Sequence, residues 1–162
     1  MAIRTRVGQG FDIHRFVDGP SDRVLVLGGV KFPNEKPLAG HSDADVIAHA
    51  AADALLGAAG LGDIGQHYPD TDPAWKGANS LAILKDVAAK VAALGWRVGN
   101  IDCSVVCESP RIAPVRDEMV SLLSAAAGAP VSVKGRRAEG LGAIGRGEGI
   151  ACFSSAIIIK ES

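Results

Sequence analysis

Net charge, cysteine and long apolar runs are all scarce in this chain. Lysine and arginine together number 17 against 18 aspartates and glutamates, leaving a formal charge of -1. That balance supplies no basic field for nucleic acid, so any anionic ligand must be held by local groups. The three cysteines, Cys103, Cys107 and Cys152, form an odd set with no zinc-knuckle spacing. In one strand Cys103 and Cys107 would lie about 13 Å apart, beyond disulfide reach. All three are therefore expected as small reduced core residues. The apolar run at residues 47–61 is broken by His49 and Asp53 and is too short to span a bilayer. Residues 1–6 carry arginines but no stretch that could serve as a signal peptide. The expectation is a cytoplasmic protein with no membrane or nucleic-acid partner.

What is present is ordinary for a globular protein. Hydrophobic residues make up 48% and charged residues 22% of 162 positions, which argues against disorder and for one domain over residues 1–162. No internal repeat or linker is visible, and on length alone no second fused enzyme is expected.

Strands are expected at residues 7–13, 24–32, 101–106, 131–134 and 150–159, and Gly28-Gly29 suggests a bulge or bend in the second. A helix should start with Ser42 as N-cap and Asp45 completing a capping box, and run to about Ala59 with Gly60 as its stop. A second helix over residues 80–94 places Leu84, Val87, Val91 and Leu94 on one face. A third opens at Pro114, with Val115, Met119, Leu122 and Ala126 as its buried stripe. Strands and helices alternate irregularly, so the fold class is α+β, one mixed β-sheet covered by helices. The apolar C-terminal strand should be covered on both faces, one of them by another subunit.

The chemistry concentrates in two segments. In Asp12-Ile13-His14, alternation along a strand turns the carboxylate and the imidazole to the same side. Residues 41–45 and His49 sit at the start of the expected first helix, where Asp45 and His49, four apart, share a face. Three oxygen and nitrogen ligands with an open position are the pattern of a catalytic zinc. Asp-x-His also occurs by chance, and a lone histidine is often merely hydrogen bonded; His67 has no comparable context. A helix starting at Ser42 would offer free N–H groups to an anion. The glycines of residues 141–149 would let backbone amides approach phosphate, with Arg146 as charge partner and Lys134, Arg136 and Arg137 upstream. Such loops also serve simply as turns, and Glu148 can be structural only.

The segments Gly10-Phe11-Asp12-Ile13-His14, residues 39–46, 60–65 and 68–73, and Gly145-Arg146-Gly147-Glu148-Gly149-Ile150-Ala151 occur in order along the chain. With them the chain resembles the 2-C-methyl-D-erythritol 2,4-cyclodiphosphate synthase family across essentially its whole length. The resemblance implies conversion of 4-diphosphocytidyl-2-C-methyl-D-erythritol 2-phosphate to the cyclic diphosphate and CMP, in the non-mevalonate route to isoprenoids. It implies a homotrimer with active sites between subunits, each holding zinc and a magnesium or manganese ion.

By the same resemblance Asp12, His14 and His49 would bind zinc, and His41 and Ser42 would hold the 2-phosphate end of the substrate. Asp63, Ile64, Gly65, Tyr68, Pro69, Asp70, Thr71 and Asp72 would line the methylerythritol pocket. Cys107, Glu108, Ser109, Pro110, Arg111, Ile112 and Ala113 would clasp cytosine. Glu139 would hold the magnesium, and Arg146 would contact phosphate. Two departures stand out. Gly135-Arg136-Arg137-Ala138 replaces a run of threonines that holds the diphosphate, and Ala143 replaces an aromatic. Arginine can still stabilise a phosphoryl transition state, so Arg137 joins His41 as a candidate catalytic group. The rival readings are a non-catalytic nucleotide- or isoprenoid-binding homologue and a metal-dependent phosphohydrolase. A structural zinc module fits least, because such sites usually have four cysteine or histidine ligands.

Overall fold

The computed structural model describes residues 2–161. Strand β1 (Ile3–Arg15) is followed by the short β2 (Leu25–Leu27) and β3 (Val30–Phe32). Helices α1 (Val46–Ala59), α2 (Ile64–His67) and α3 (Ser80–Ala93) come next, then β4 (Arg97–Val106), α4 (Arg116–Ala127), β5 (Val131–Arg136), α5 (Gly142–Gly145) and β6 (Gly149–Glu161). Four strands form one sheet in the order β1-β6-β4-β5, antiparallel except for the parallel β4–β5 pair. The expected mixed sheet with helices is therefore present.

One expected strand is really a hairpin. Both Gly28 and Gly29 have positive φ, 57° and 79°, so residues 24–32 turn back on themselves into a separate two-stranded sheet. Positive φ at both central positions is the two-residue hairpin geometry that glycine supplies without steric cost.

Helix α1 is the centre of the molecule. Nearly every residue in it is buried, which is why the run is apolar all round and not striped. It lies unusually close to β1, because Gly8 and Gly10 face it. A Cβ on Gly8 would stand 1.9 Å from the Ala54 carbonyl oxygen, and one on Gly10 1.9 Å from that of Ala50. Alanines 50, 54 and 58 supply the matching small surface on the helix. Helix α3 buries Ile83, Leu84, Val87 and Val91, but Leu94 is exposed because the helix ends at Ala93 and Gly95 turns the chain with φ 77°. Helix α4 buries Met119, Leu123 and Ala127, one position on from the expected Leu122 and Ala126, which are half-buried. Pro114 falls in a 3-10 turn, Ala113–Val115, that leads into this helix.

The sheet's other face is bare. Val7, Phe11, Ile13 and Phe153 stay 47–74% exposed there, with Phe11 and Phe153 rings 4.9 Å apart across the β1–β6 pair. Cys103, Cys107 and Cys152 are all free and buried, as expected. Among the described residues, no helix is long and apolar enough to cross a membrane.

Candidate active site

Helix α1 does not begin where the sequence suggests. Its N-cap is Asp45, and Ser42 lies three residues earlier in a turn. Ala44, at φ 58°, takes the left-handed conformation within that turn and is wholly buried. The Asp45 carboxylate accepts from the amides of Ile47 and Ala48 at 3.1 Å each, and from Gly28 at 2.8 Å and Gly29 at 2.7 Å. The start of the helix is thus filled by its own carboxylate and closed to an external phosphate. It also follows that Asp45 does not point at the metal candidates, although it lies four residues from His49. Burial, with the charge of Asp43 adding to it, pushes Asp45 up to about 6 despite those four donors.

His49, one turn into α1, meets Asp12 and His14 from β1. Asp12 Oδ2 lies 2.9 Å from His14 Nε2 and 3.0 Å from His49 Nδ1, and the two ring nitrogens are 3.4 Å apart. Donors on one face of a tetrahedron with bonds of about 2.0–2.1 Å stand about 3.3–3.4 Å from one another. Three donor atoms on two elements therefore already hold nearly the spacing that a zinc ion requires. Among the described residues this is the one such group of His, Cys, Asp or Glu. Gly40 makes room for it: a Cβ there would meet the Ala44 side chain at 2.9 Å and the His14 ring at 3.3 Å. Burial opposes charge on Asp12, but hydrogen bonds to His14 and His49 outweigh it and hold the carboxyl well below the usual carboxylate range. Burial likewise disfavours charge on His49, but the Asp12 hydrogen bond and charge prevail and raise it.

The triad opens into a cleft of about 430 Å³ lined also by Gly40, His41, Ser42, Ile64, Gly65, Tyr68, Pro69, Asp70, Trp75 and Ile83. Most of the residues expected at the 2-phosphate and methylerythritol end thus gather around the metal candidates. Asp63 instead caps α2 through the Gln66 amide, and the Asp72 carboxylate caps the turn at Pro73–Trp75. The Asp72 carbonyl anchors His41 Nε2 at 3.0 Å. Thr71 does not line the cleft. Asp53, on α1 four residues past His49, holds the Ile64 amide at 3.2 Å and so ties this loop to the helix.

A second cleft, of about 230 Å³, collects Cys107, Glu108, Pro110, Arg111, Ile112, Ala113, Arg136 and Arg137, together with Arg116 and Gly135. One backbone bond and one carboxylate shape it. The Cys107 amide donates to the Arg136 carbonyl at 2.9 Å, and the Ala138 amide to Glu108 Oε1 at 2.7 Å. A Cβ on Gly135 would come within 3.1 Å of Ile112. Burial, followed by the charge of Glu108, pushes the Cys107 thiol up to about 11, so it is no nucleophile at neutral pH. Ser109 and Ala138 lie beside this cleft in sequence without lining it.

The two clefts are separate within one chain. Ile13, Ala151, Val106 and Arg136 form one row across the sheet, from edge to edge. Three strand spacings make that about 14 Å. A third cleft, of about 450 Å³, holds Ala143 and Glu148 near His14 and Lys36. Arg146 and Glu139 line none of the three. Arg146 Nε pairs with Glu148 at 2.6 Å, and the expected phosphate loop is partly the short helix α5. Glu139, at φ 55°, is exposed and held in the left-handed region.

Sequence reasoning missed Trp75, Ile83, Arg116, Asp53 and Ser80. Ser80 is wholly buried, with its Oγ 2.8 Å from His49 Nε2. Its position at the start of α3 was legible, but its approach to α1 depends on tertiary packing.

Comparison with known proteins gives the family and the fold. The YgbB family model matches residues 5–159. A 2-C-methyl-D-erythritol 2,4-cyclodiphosphate synthase of Bordetella petrii is 51% identical over 165 residues, covering 100% of both chains. The bifunctional enzyme IspD/IspF of an Anaeromyxobacter species is 54% identical over 157 residues, 95% of this chain but 40% of that one. This chain thus spans about two fifths of that relative's length. Among solved structures, the bifunctional IspDF of Campylobacter jejuni matches with a TM-score of 0.92 at 40% identity, covering 99% of this chain and 44% of that one. A Plasmodium falciparum IspF in complex with CDP matches with a TM-score of 0.84 at 33% identity, covering 98% and 97%. With the family model and a full-length relative in agreement, the chain belongs to the YgbB family, that of the 2-C-methyl-D-erythritol 2,4-cyclodiphosphate synthases.

Proposed function

We propose that this chain converts 4-diphosphocytidyl-2-C-methyl-D-erythritol 2-phosphate to 2-C-methyl-D-erythritol 2,4-cyclodiphosphate and CMP, in the cytoplasm. The observation that carries the reading is the convergence of Asp12, His14 and His49 in a cleft that also gathers His41, Ser42, Ile64, Gly65, Tyr68, Pro69 and Asp70. Asp12, His14 and His49 would hold zinc and Glu139 magnesium or manganese, which when bound polarise phosphoryl oxygens and neutralise the departing phosphate. The substrate brings its own nucleophile. An oxygen of its 2-phosphate attacks the β-phosphorus, a new phosphorus–oxygen bond closes the ring, and the bond from the β-phosphorus to the bridging oxygen breaks to release CMP. The protein's task is alignment and charge, not covalent catalysis.

His41, anchored on the Asp72 carbonyl, and Ser42 hold the attacking phosphate, while Ile64, Gly65, Tyr68, Pro69 and Asp70 enclose the carbon skeleton. Residues 107–113 hold the cytosine through backbone groups. Arg137 steadies the central phosphates, Arg136 stands beside it, and Arg146 contacts phosphate. The active unit is a homotrimer in which the metal cleft of one subunit faces the nucleotide cleft of the next. The separation of the two clefts within one chain and the uncovered apolar sheet face support that assembly.

Phosphorus NMR of the purified protein with the cytidyl substrate, zinc and magnesium tests the reading. Resonances of a cyclic diphosphate and CMP are the expected result. Linear phosphate products would point to hydrolysis, and unchanged substrate to a binding protein. Either would overturn the reading.

A further inference from the structure

The side of His49 that faces away from Asp12 is as closely built as the side that faces it. Its Nε2 lies 2.8 Å from Ser80 Oγ and 3.1 Å from Ser42 Oγ. Ser80 is wholly buried, and its hydroxyl donates to Asp43 Oδ1 in a short hydrogen bond. Asp43 is itself fixed. Its other oxygen accepts the Ser80 amide at 3.1 Å, Oδ1 accepts the Asp45 amide at 3.2 Å, and its own amide donates to the Ala78 carbonyl at 3.0 Å.

The proton count then decides a tautomer. A serine hydroxyl has one proton and two lone pairs. Ser80 gives its proton to Asp43, so only a lone pair is left to face His49 Nε2. That nitrogen must carry a hydrogen to make the contact. Ser42 can turn its proton either way, because its oxygen accepts only the Ala44 amide at 3.2 Å. A neutral imidazole with its hydrogen on Nε2 has its lone pair on Nδ1, the atom that meets Asp12 Oδ2 and His14 Nε2. Without the ion, the Asp12 carboxylate 3.0 Å from Nδ1 draws a hydrogen there as well, so the Ser80 contact is what keeps a hydrogen on Nε2 when the ion takes the place of the one on Nδ1.

We propose that Ser80 and Asp43 are positioning residues of the metal centre: they hold the His49 hydrogen on Nε2 and so aim the Nδ1 lone pair at the ion. The inference rests on the reading of Asp12, His14 and His49 as a metal site. It adds that the seam between the start of α1 and the start of α3 is part of that site, although neither Ser80 nor Asp43 touches the ion. Histidine ligands generally depend on such a partner for the second ring nitrogen, and loss of the partner lowers metal affinity by about tenfold to hundredfold.

The test uses the full chain with nitrogen-15 histidine in wild type, Ser80→Ala and Asp43→Asn. Two-bond nitrogen–proton spectra of the zinc-loaded and metal-free proteins report which His49 nitrogen carries the hydrogen, and competition with a chelator reports zinc affinity. Zinc-loaded wild type should show the His49 hydrogen on Nε2, and Ser80→Ala should show the metal-free ring giving up its Nε2 hydrogen in favour of the Asp12 side, with zinc binding weaker by about tenfold to hundredfold. In Asp43→Asn the amide can donate to Ser80 and reverse the hydroxyl, shifting the hydrogen toward Nδ1. This variant keeps the volume of Asp43 and answers the question if Ser80→Ala fails to fold. Failure of wild type to bind zinc would sink the metal reading itself. Zinc binding by wild type with unchanged tautomer and affinity in the folded variants would sink the relay alone.

Discussion

The cleft at Asp12, His14 and His49 and the cleft at residues 107–113 are built on different principles. Around Asp12, His14 and His49, side chains interlock in buried surroundings: His49, Ser42, Ser80 and Asp45 are each at most 9% exposed and all hydrogen bonded. The cleft at residues 107–113 is framed by the backbone bond from Cys107 to Arg136 and by the Glu108 carboxylate on the Ala138 amide, with Arg136 and Arg137 exposed at its rim and in no ion pair among the described residues. Side-chain identity should therefore dominate on the first side. On the second, chain path should matter more than any single side chain.

The sharpest way to break this contrast is His49→Ala. It removes one of three donors and should cut CMP release by at least about a thousandfold, roughly 4 kcal/mol of barrier, with circular dichroism unchanged. Full turnover in a verified metal-free variant would refute the role of the triad.

Gly10→Ala tests how the cleft is assembled without touching a ligand. The added carbon would meet the Ala50 carbonyl oxygen at 1.9 Å, so α1 must move off β1. A stability loss of about 3 kcal/mol by urea denaturation, accompanied by weaker zinc binding, is expected. A silent substitution would show that the helix is free to shift.

Asp45 gives the pH dependence. Its folded pKa of about 6 lies above its ordinary 3.8, so its contribution is full below about pH 4 and lost as pH rises through 6. Asp45→Asn cannot titrate. The stability difference between wild type and variant should therefore shrink between pH 4 and pH 7, by up to about 3 kcal/mol, in denaturation at both values. A difference that grows with pH would contradict the assignment.

The smallest effect belongs to the other cleft. Replacing Arg136 and Arg137 by threonine should lower turnover about tenfold, near 1.4 kcal/mol, in steady-state assays of CMP release. Unchanged turnover would leave both guanidinium groups as solvated rim charges.

Much of this was legible in the chain itself. The Asp12-x-His14 alternation placed two candidate ligands on one side of a strand, and the run after residue 45 announced a buried helix bearing the third. The register of α3 was nearly right, because its apolar spacing is local. Ser42 against Asp45 was not decidable locally, since both residues are good caps. The choice was made by the Gly28 and Gly29 amides, which need a carboxylate and come from a distant turn. The hairpin was missed for a related reason: Gly-Gly was taken as a bend, while both positive φ values make it a reversal. The gap between the clefts follows from strand order, which no local pattern encodes.

The Asp45 carboxylate has one more consequence. Strands β2 and β3 have three residues each, too few to persist as a free hairpin. Their turn shares its acceptor with the first turn of α1, so neither can fray without stranding the same negative charge. In amide hydrogen exchange the N–H groups of Gly28, Gly29, Ile47 and Ala48 should therefore open as one slow cooperative unit, so that the flimsiest sheet in the molecule takes on the lifetime of its most buried helix.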